Sequence, residues 1–213
     1  MILKRTIKKE EISNMPRATF KGKIHVIQTE DEALKALEYL NSCPLVGIDS
    51  ETRPSFVKGQ THKVALLQVS TKDICFLFRL NMIGLTEPII RFLENPEIKK
   101  VGLSLHDDFA VLHKRAPFTQ QSCIDIQDYV KQFGIQDKSL QKIYAILFRH
   151  KISKSQRLSN WEADVLSDAQ KTYAATDAWS CYKIYLFLQE LQRTGKYELE
   201  EEEVTVETVE EQS

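Results

Sequence analysis

The stretch Leu45-Val46-Gly47-Ile48-Asp49-Ser50-Glu51-Thr52 constrains this chain more than any other. It starts as an apolar run of strand type and ends in two carboxylates. Side chains alternate faces along a strand, so Asp49 and Glu51 point one way and Ile48 the other. Ile48 then heads for a core, while two like charges sit one pleat apart at the strand's end. Facing a cleft, such a pair supplies half of a site for divalent cations. The rest of the fold is expected to bring two more carboxylates to this spot.

The patterning on either side predicts an α/β domain. Lys23–Gln28 alternates like a strand, and Thr29-Glu30-Asp31-Glu32 is a capping box. It opens a helix with Ala33, Leu34, Leu37 and Leu40 at helical spacing, ended by Asn41–Pro44. After the carboxylate strand comes a polar loop, Arg53–His62. Val64–Ser70 and Ile74–Leu80 then read as a hairpin across Thr71-Lys72-Asp73, giving three neighbouring antiparallel strands. A helix near Leu85–Glu94, a strand at Lys100–Leu105, a helix at Asp107–Lys114, a short strand at Ser122–Ile126 and a helix at Asp128–Phe133 follow. Strand–helix–strand order predicts parallel pairing there. The last third is helical: Ser139–Phe148, a polar connector at His150–Ser159, and a helix from the capping box Ser167–Gln170 to about Gln192, with Gly195 as its C-cap.

Residues 1–20 are polar and aperiodic and read as a flexible arm; residues 21–195 form one domain; residues 196–213 make an acidic tail with no hydrophobic face, expected to be disordered. Glu198–Ser213 holds eight glutamates and no lysine or arginine. Without them, 29 basic residues face 30 less 8 acidic ones, an excess of about seven positive charges. A mildly basic body suits a polyanionic partner. No apolar run approaches the roughly 20 residues that span a bilayer, so no membrane role is expected. Lys4, Arg5, Lys8 and Lys9 are not followed by the apolar stretch of a signal peptide. Cys43, Cys75, Cys123 and Cys181 form no Cys-x-x-Cys pair, which argues against zinc, and they read as reduced thiols of a cytoplasmic protein.

Other acids invite weighing. Asp107 and Asp108 follow a strand at a helix start, where capping and the helix dipole alone would account for them. Asp177 lies within a helix, four residues after Tyr173 and on the same face. Aspartate is a poor residue for a helix interior. Set among Ala174, Ala175 and Ala178, it needs a partner, either a basic side chain or a shared site.

Three segments together carry a resemblance. They are Gly47-Ile48-Asp49-Ser50-Glu51-Thr52, Val101-Gly102-Leu103-Ser104-Leu105-His106-Asp107-Asp108, and Gln170-Lys171-Thr172-Tyr173-Ala174-Ala175-Thr176-Asp177-Ala178. The chain resembles the DEDDy branch of the 3′-to-5′ exonucleases, the group of ribonuclease D and the Werner syndrome helicase exonuclease domain. In the second segment the aspartate in register is Asp108; Asp107 stands where many relatives carry a small or uncharged residue. The resemblance spans roughly Lys23–Gln192. It implies a ribonuclease H-like α/β fold, a mixed, mainly five-stranded sheet flanked by helices. It also implies a catalytic quartet of Asp49, Glu51, Asp108 and Asp177 holding two Mg²⁺ or Mn²⁺ ions, with Tyr173 orienting the attacking water. The implied reaction is hydrolysis at single-stranded 3′ ends of RNA or DNA, releasing nucleoside 5′-monophosphates. The rival reading is an inactive nucleic-acid-binding or scaffolding module of the same fold, which the five filled positions disfavour.

Further candidates come from position. Thr52 and Arg53 follow the carboxylate strand, where a terminal nucleotide would sit, and Arg53 could contact phosphate. Lys151, Lys154 and Arg157 form a basic connector, which is either a solvated loop or, near a cleft, a holder of the substrate backbone. Trp161 reads as a packing residue. His106 and His113 lack zinc spacing and read as structural.

Overall fold

The computed structural model of this chain describes residues 1–201. In chain order it runs β1 (Ile2–Leu3), α1 (Lys9–Ser13), β2 (Lys23–Ile27), α2 (Glu30–Asn41), β3 (Leu45–Thr52), β4 (Val64–Ser70) and β5 (Ile74–Phe78). Then come α3 (Leu80–Ile83), α4 (Glu87–Glu94), β6 (Lys99–Gly102), α5 (Leu105–His113), β7 (Cys123–Asp125) and α6 (Ile126–Tyr129). A 3₁₀ turn at Val130–Phe133 leads to α7 (Leu140–Phe148), α8 (Asp168–Thr194) and β8 (Glu198–Leu199).

Six strands form one mixed sheet in the order β2-β5-β4-β3-β6-β7. The hairpin and β3 pair antiparallel, as their spacing predicts, and β3, β6 and β7 pair parallel. Five of these strands match the expected core sheet. The sixth is Lys23–Ile27, which the pattern identifies as a strand without saying where it docks; it adds in parallel to the free edge of β5.

Strand β3 sits inside the sheet, and its alternation sorts the two layers. Val46 and Ile48 point into a core built with Leu37 and Leu40 of α2, Phe92 of α4 and Phe109 of α5. Each such side chain contributes roughly 1.5–3 kcal/mol by leaving water. The opposite face of β3 meets α8, a 27-residue helix. Its capping box is formed as predicted, with the Ser167 hydroxyl accepting from the Gln170 amide, and Gly195 ends it at φ 63°. The two backbones touch at Gly47. A Cβ there would collide with the Ala178 carbonyl and lie 2.9 Å from the Tyr182 nitrogen. Glycine is the residue that lets the helix lie this close.

The N-terminal segment departs from expectation. Instead of a loose arm, residues 1–20 carry β1 and α1 and bury Leu3, Ile7 and Ile12. Leu3, Ile7 and Ile12 are too few and too scattered among polar residues to establish either period, which hides them from pattern reading. The segment docks through β1, which pairs in parallel with β8, and through the Ile7 amide, which donates to Asp137 Oδ2 at 2.7 Å. The span expected as acidic tail therefore begins inside the fold. Tyr197 packs on Phe133 at 5.5 Å between ring centres. The remainder of the predicted disordered tail, residues 202–213, lies outside the described residues. The helix expected at Leu85–Glu94 is shorter, α4 alone, after a break at Gly84 with φ 75°. No helix among the described residues is long and apolar enough to cross a membrane.

Candidate metal centre

Asp49 and Glu51 on β3 meet Asp177 on α8. One carboxylate oxygen from each lies within 4.8 Å of the other two. The strand's two-residue period puts the first pair on one face. Gly47 and the fully buried Ala174, Ala175 and Ala178 let the helix bring in the third. The acids line a cleft of about 540 Å³, together with Tyr173, Lys154 and Arg157.

Burial and mutual repulsion dominate the electrostatics. Loss of hydration, then the charges of Asp108, Glu51 and Asp177, hold the Asp49 carboxyl well above the usual carboxylate range. Glu51 is pushed up to about 9 by burial and by Asp177 and Asp108, with Arg157 opposing. Burial raises Asp177 to about 7, against a hydrogen bond from Tyr173 and the charge of Lys154. Tyr173 itself is 9% exposed and driven well up by burial and then by Asp177, so its phenol stays protonated and donates to that carboxylate. Trp161, fully buried, packs on Tyr173 at 6.0 Å between ring centres, in the packing role its position suggests.

Asp108 stands beside the trio but not within it. Its Oδ1 accepts from the Ser50 hydroxyl at 2.5 Å. Ser50 projects to the α5 side of β3, so one strand addresses acids from both layers. Burial raises Asp108 to about 7, with Asp107 and Asp125 adding to the rise and Ser50 opposing it. A capping role is enough, from the sequence, to account for an acid here. The structure gives that work to Asp125, whose carboxylate accepts from the Ser104 and Leu105 amides at 3.2 and 2.8 Å. Asp108 is thus released from capping, and its charge acts on Asp49 and Glu51. Asp107 is exposed and its carboxylate lies 3.4 Å from His106, itself exposed, while His113 packs on Phe118.

Of the outer candidates, Lys154 and Arg157 line the cleft, while Thr52 and Arg53 do not. Thr52 pairs with Val64 just past an irregularity in the β3–β4 register. Arg53 is drawn aside by Glu162, with Nη1 donating to Oε2 at 3.3 Å. Lys151 lies away from the acids, its ammonium bonded to the Ser13 carbonyl. Sequence reasoning missed Ser50, Asp125 and the cleft-lining Lys138 and Ser153. An Asp two residues before the Gln127 amide it accepts from, at 2.8 Å, is a local cap signal that could have marked Asp125. Nothing local marks Lys138, which enters the cleft only through the fold. Gln68, opposite Asp49 on β4, is fully buried and its amide bonds nothing among the described residues.

The donor set fits a hard divalent cation. Three carboxylates crowd together, their charge incompletely balanced, and oxygen ligands of this kind suit Mg²⁺ or Mn²⁺.

Known proteins resemble this chain over most of its length. A family model described as 3′-5′ exonuclease matches residues 24–192. A 3′-5′ exonuclease of Arabidopsis thaliana is 29% identical over 194 residues, covering 84% of this chain and 67% of the plant protein. The mouse bifunctional 3′-5′ exonuclease/ATP-dependent helicase WRN is 29% identical over 163 residues, 74% of this chain but 12% of that protein. Among solved structures, the Aedes aegypti Nibbler EXO domain superposes with a TM-score of 0.76 at 19% identity, covering 85% of this chain and 95% of that one, a likeness of fold. On the family match, which covers most of its length, the chain belongs to the 3′-5′ exonuclease family.

Proposed function

We propose that this protein removes nucleotides from the 3′ end of single-stranded nucleic acid by metal-dependent hydrolysis, releasing nucleoside 5′-monophosphates. The observation that carries this reading is the convergence of Asp49, Glu51 and Asp177 in a cleft that Lys138, Lys154 and Arg157 also line. Asp49, Glu51 and Asp177 would hold the metal, with Asp108 beside them. A pair of divalent ions would activate the attacking water and balance charge building on the leaving oxygen.

The chain's own groups divide the remaining work. Lys154 and Arg157 offset the negative charge of Asp177 and Glu51 and attract the phosphate backbone. Tyr173 is too poor an acid to act as a base at neutral pH. Its phenol, anchored on Asp177, instead fixes the direction of a water. Tyr173→Phe should therefore lower turnover by about 100-fold, the scale of a misplaced reactant, while metal affinity by calorimetry changes little. Full activity in that variant would dismiss the assigned role.

Lys154→Ala and Arg157→Ala should each weaken oligonucleotide binding and flatten its salt dependence, by about 0.7 in the log–log slope for each phosphate no longer neutralised. An unchanged slope in both would remove these residues from the substrate path.

The direct test is incubation of 5′-labelled RNA and DNA strands of matched sequence with the protein and Mn²⁺. A ladder of shortened products supports the reading. Binding without shortening would turn the assignment to an inactive nucleic-acid-binding module.

A further inference from the structure

We propose that the N-terminal segment lends this site a second nucleotide subsite, in which Arg17 meets a backbone phosphate of the strand whose 3′ end lies in the cleft. The proposal rests on the reading above and extends it to residues outside the family match, which begins at residue 24.

A second cavity, of about 310 Å³, adjoins the first. Ser153 and Tyr173 line both, so the two cavities lie side by side with those residues between them. Its volume lies at the small end of the roughly 300–1,000 Å³ typical of ligand sites. Its lining is mixed, and its polar groups come from Arg17, Thr19, Ser153, Ser155 and Thr172. Asp168 also borders it, but its carboxylate is taken by Lys171 at 2.6 Å. Arg17 is exposed, and among the described residues no ion pair engages it. A free guanidinium beside hydroxyls is suited to a phosphodiester, which it can grip through two parallel N–H donors.

The backbone around Arg17 is fixed rather than loose. The Ala18 amide donates to the Lys151 carbonyl at 2.9 Å, and the Lys151 amide donates to the Pro16 carbonyl at 3.0 Å. The Lys151 ammonium reaches the Ser13 carbonyl. Two residues on, the Phe20 amide donates to Thr176 Oγ1 at 3.0 Å, one residue from Asp177. Residues 13–20 are thus tied to the connector that carries Lys154 and Arg157 and to the helix that carries two site residues. The backbone at Arg17 is held beside the second cavity before any ligand arrives, which lowers the ordering cost of binding. A mononucleotide filling the acidic cleft would not need this cavity; a strand continuing past its terminal residue would find it next in line.

The test compares ligands of one, two and ten nucleotides. The full 213-residue chain carrying Asp49→Asn, to prevent turnover, is titrated in Mg²⁺ against a 5′-fluorescein decanucleotide by anisotropy. A nucleoside 5′-monophosphate and a 5′-phosphorylated dinucleotide serve as competitors, and the series is repeated with Arg17→Glu added. Arg17→Glu should weaken the dinucleotide and decanucleotide about tenfold and leave the mononucleotide within twofold, and Arg17→Lys should restore most of the loss. The salt slope for the decanucleotide should fall by about 0.7. Equal affinities with and without Arg17→Glu overturn the subsite. Equal losses for all three ligands also overturn it, since Arg17 would then act on the terminal nucleotide or on the fold. A wild-type chain that leaves labelled strands intact, alongside Arg17-dependent binding, would remove the nuclease reading and keep the subsite.

Discussion

Asp49→Asn is expected to abolish the ladder of shortened products while raising the melting temperature of the metal-free protein. The substitution keeps the side chain's volume and removes one charge. In the wild type burial and the neighbouring Asp108, Glu51 and Asp177 disfavour that charge, so the folded chain must either bear the repulsion or hold a proton that the unfolded chain gives up. Two carboxylates about 4 Å apart repel by about 4 kcal/mol at an effective dielectric of 20. Relieving part of this should lift the melting temperature by about 2–4 °C for each kcal/mol recovered in a chain of this size. Turnover moves the other way. Charge stabilisation by bound metal is worth several kcal/mol in the transition state, so losing a ligand should slow hydrolysis by about 10²–10⁴-fold. Melting curves in EDTA and rates on a labelled oligonucleotide give both readouts. A variant as fast as the wild type would move the chemistry away from Asp49. A variant that loses both activity and melting temperature would point to damage in the fold.

The second expected result concerns pH. In EDTA, melting temperature should fall as pH rises from 5 to 9. Asp108 and Asp177 are held near 7 and Glu51 near 9 in the folded chain, against ordinary values near 4 when unfolded. Between those limits the native state binds more protons than the unfolded state, so stability declines with rising pH. Below about pH 4 both states are protonated and the effect vanishes. Above about 9 the share of these three acids is complete. Mg²⁺ or Mn²⁺ should reverse the trend, because the cation competes with protons for the same oxygens. At 100 times its dissociation constant a ligand adds about 2.7 kcal/mol, or roughly 5–10 °C here. The gain should be larger at pH 8 than at pH 6. A flat profile in EDTA, or a metal effect independent of pH, would show that these carboxylates do not share one site.

Much of this architecture could be read from the chain because local signals and tertiary demands agree. The capping boxes at Thr29 and Ser167, the alternation of β3 and the hairpin spacing each point to the element that forms. Asp177 was readable for the opposite reason: an aspartate in a run of alanines is locally unfavourable, and the cleft explains it. The errors share a cause as well. Leu3, Ile7 and Ile12 gain their burial from partners more than 100 residues away, through β8 and Asp137, so no local window reveals them. Arg53 has the right chemistry and the right neighbourhood, yet Glu162, over 100 residues on, captures it. Long-range pairing decides such side chains, and periodicity carries no record of it.

The contact between Gly47 and the Ala178 carbonyl has a broader consequence. Asp49 and Asp177 each lie within two residues of that seam, so the width of the metal centre is set where two bare backbones meet. A methyl group at position 47 would leave every acid in the sequence and still wedge helix from strand. The most sensitive position in the centre therefore has no chemistry of its own. A substitution on the connector or the N-terminal segment leaves this seam untouched, whereas any side chain at position 47 meets the helix backbone.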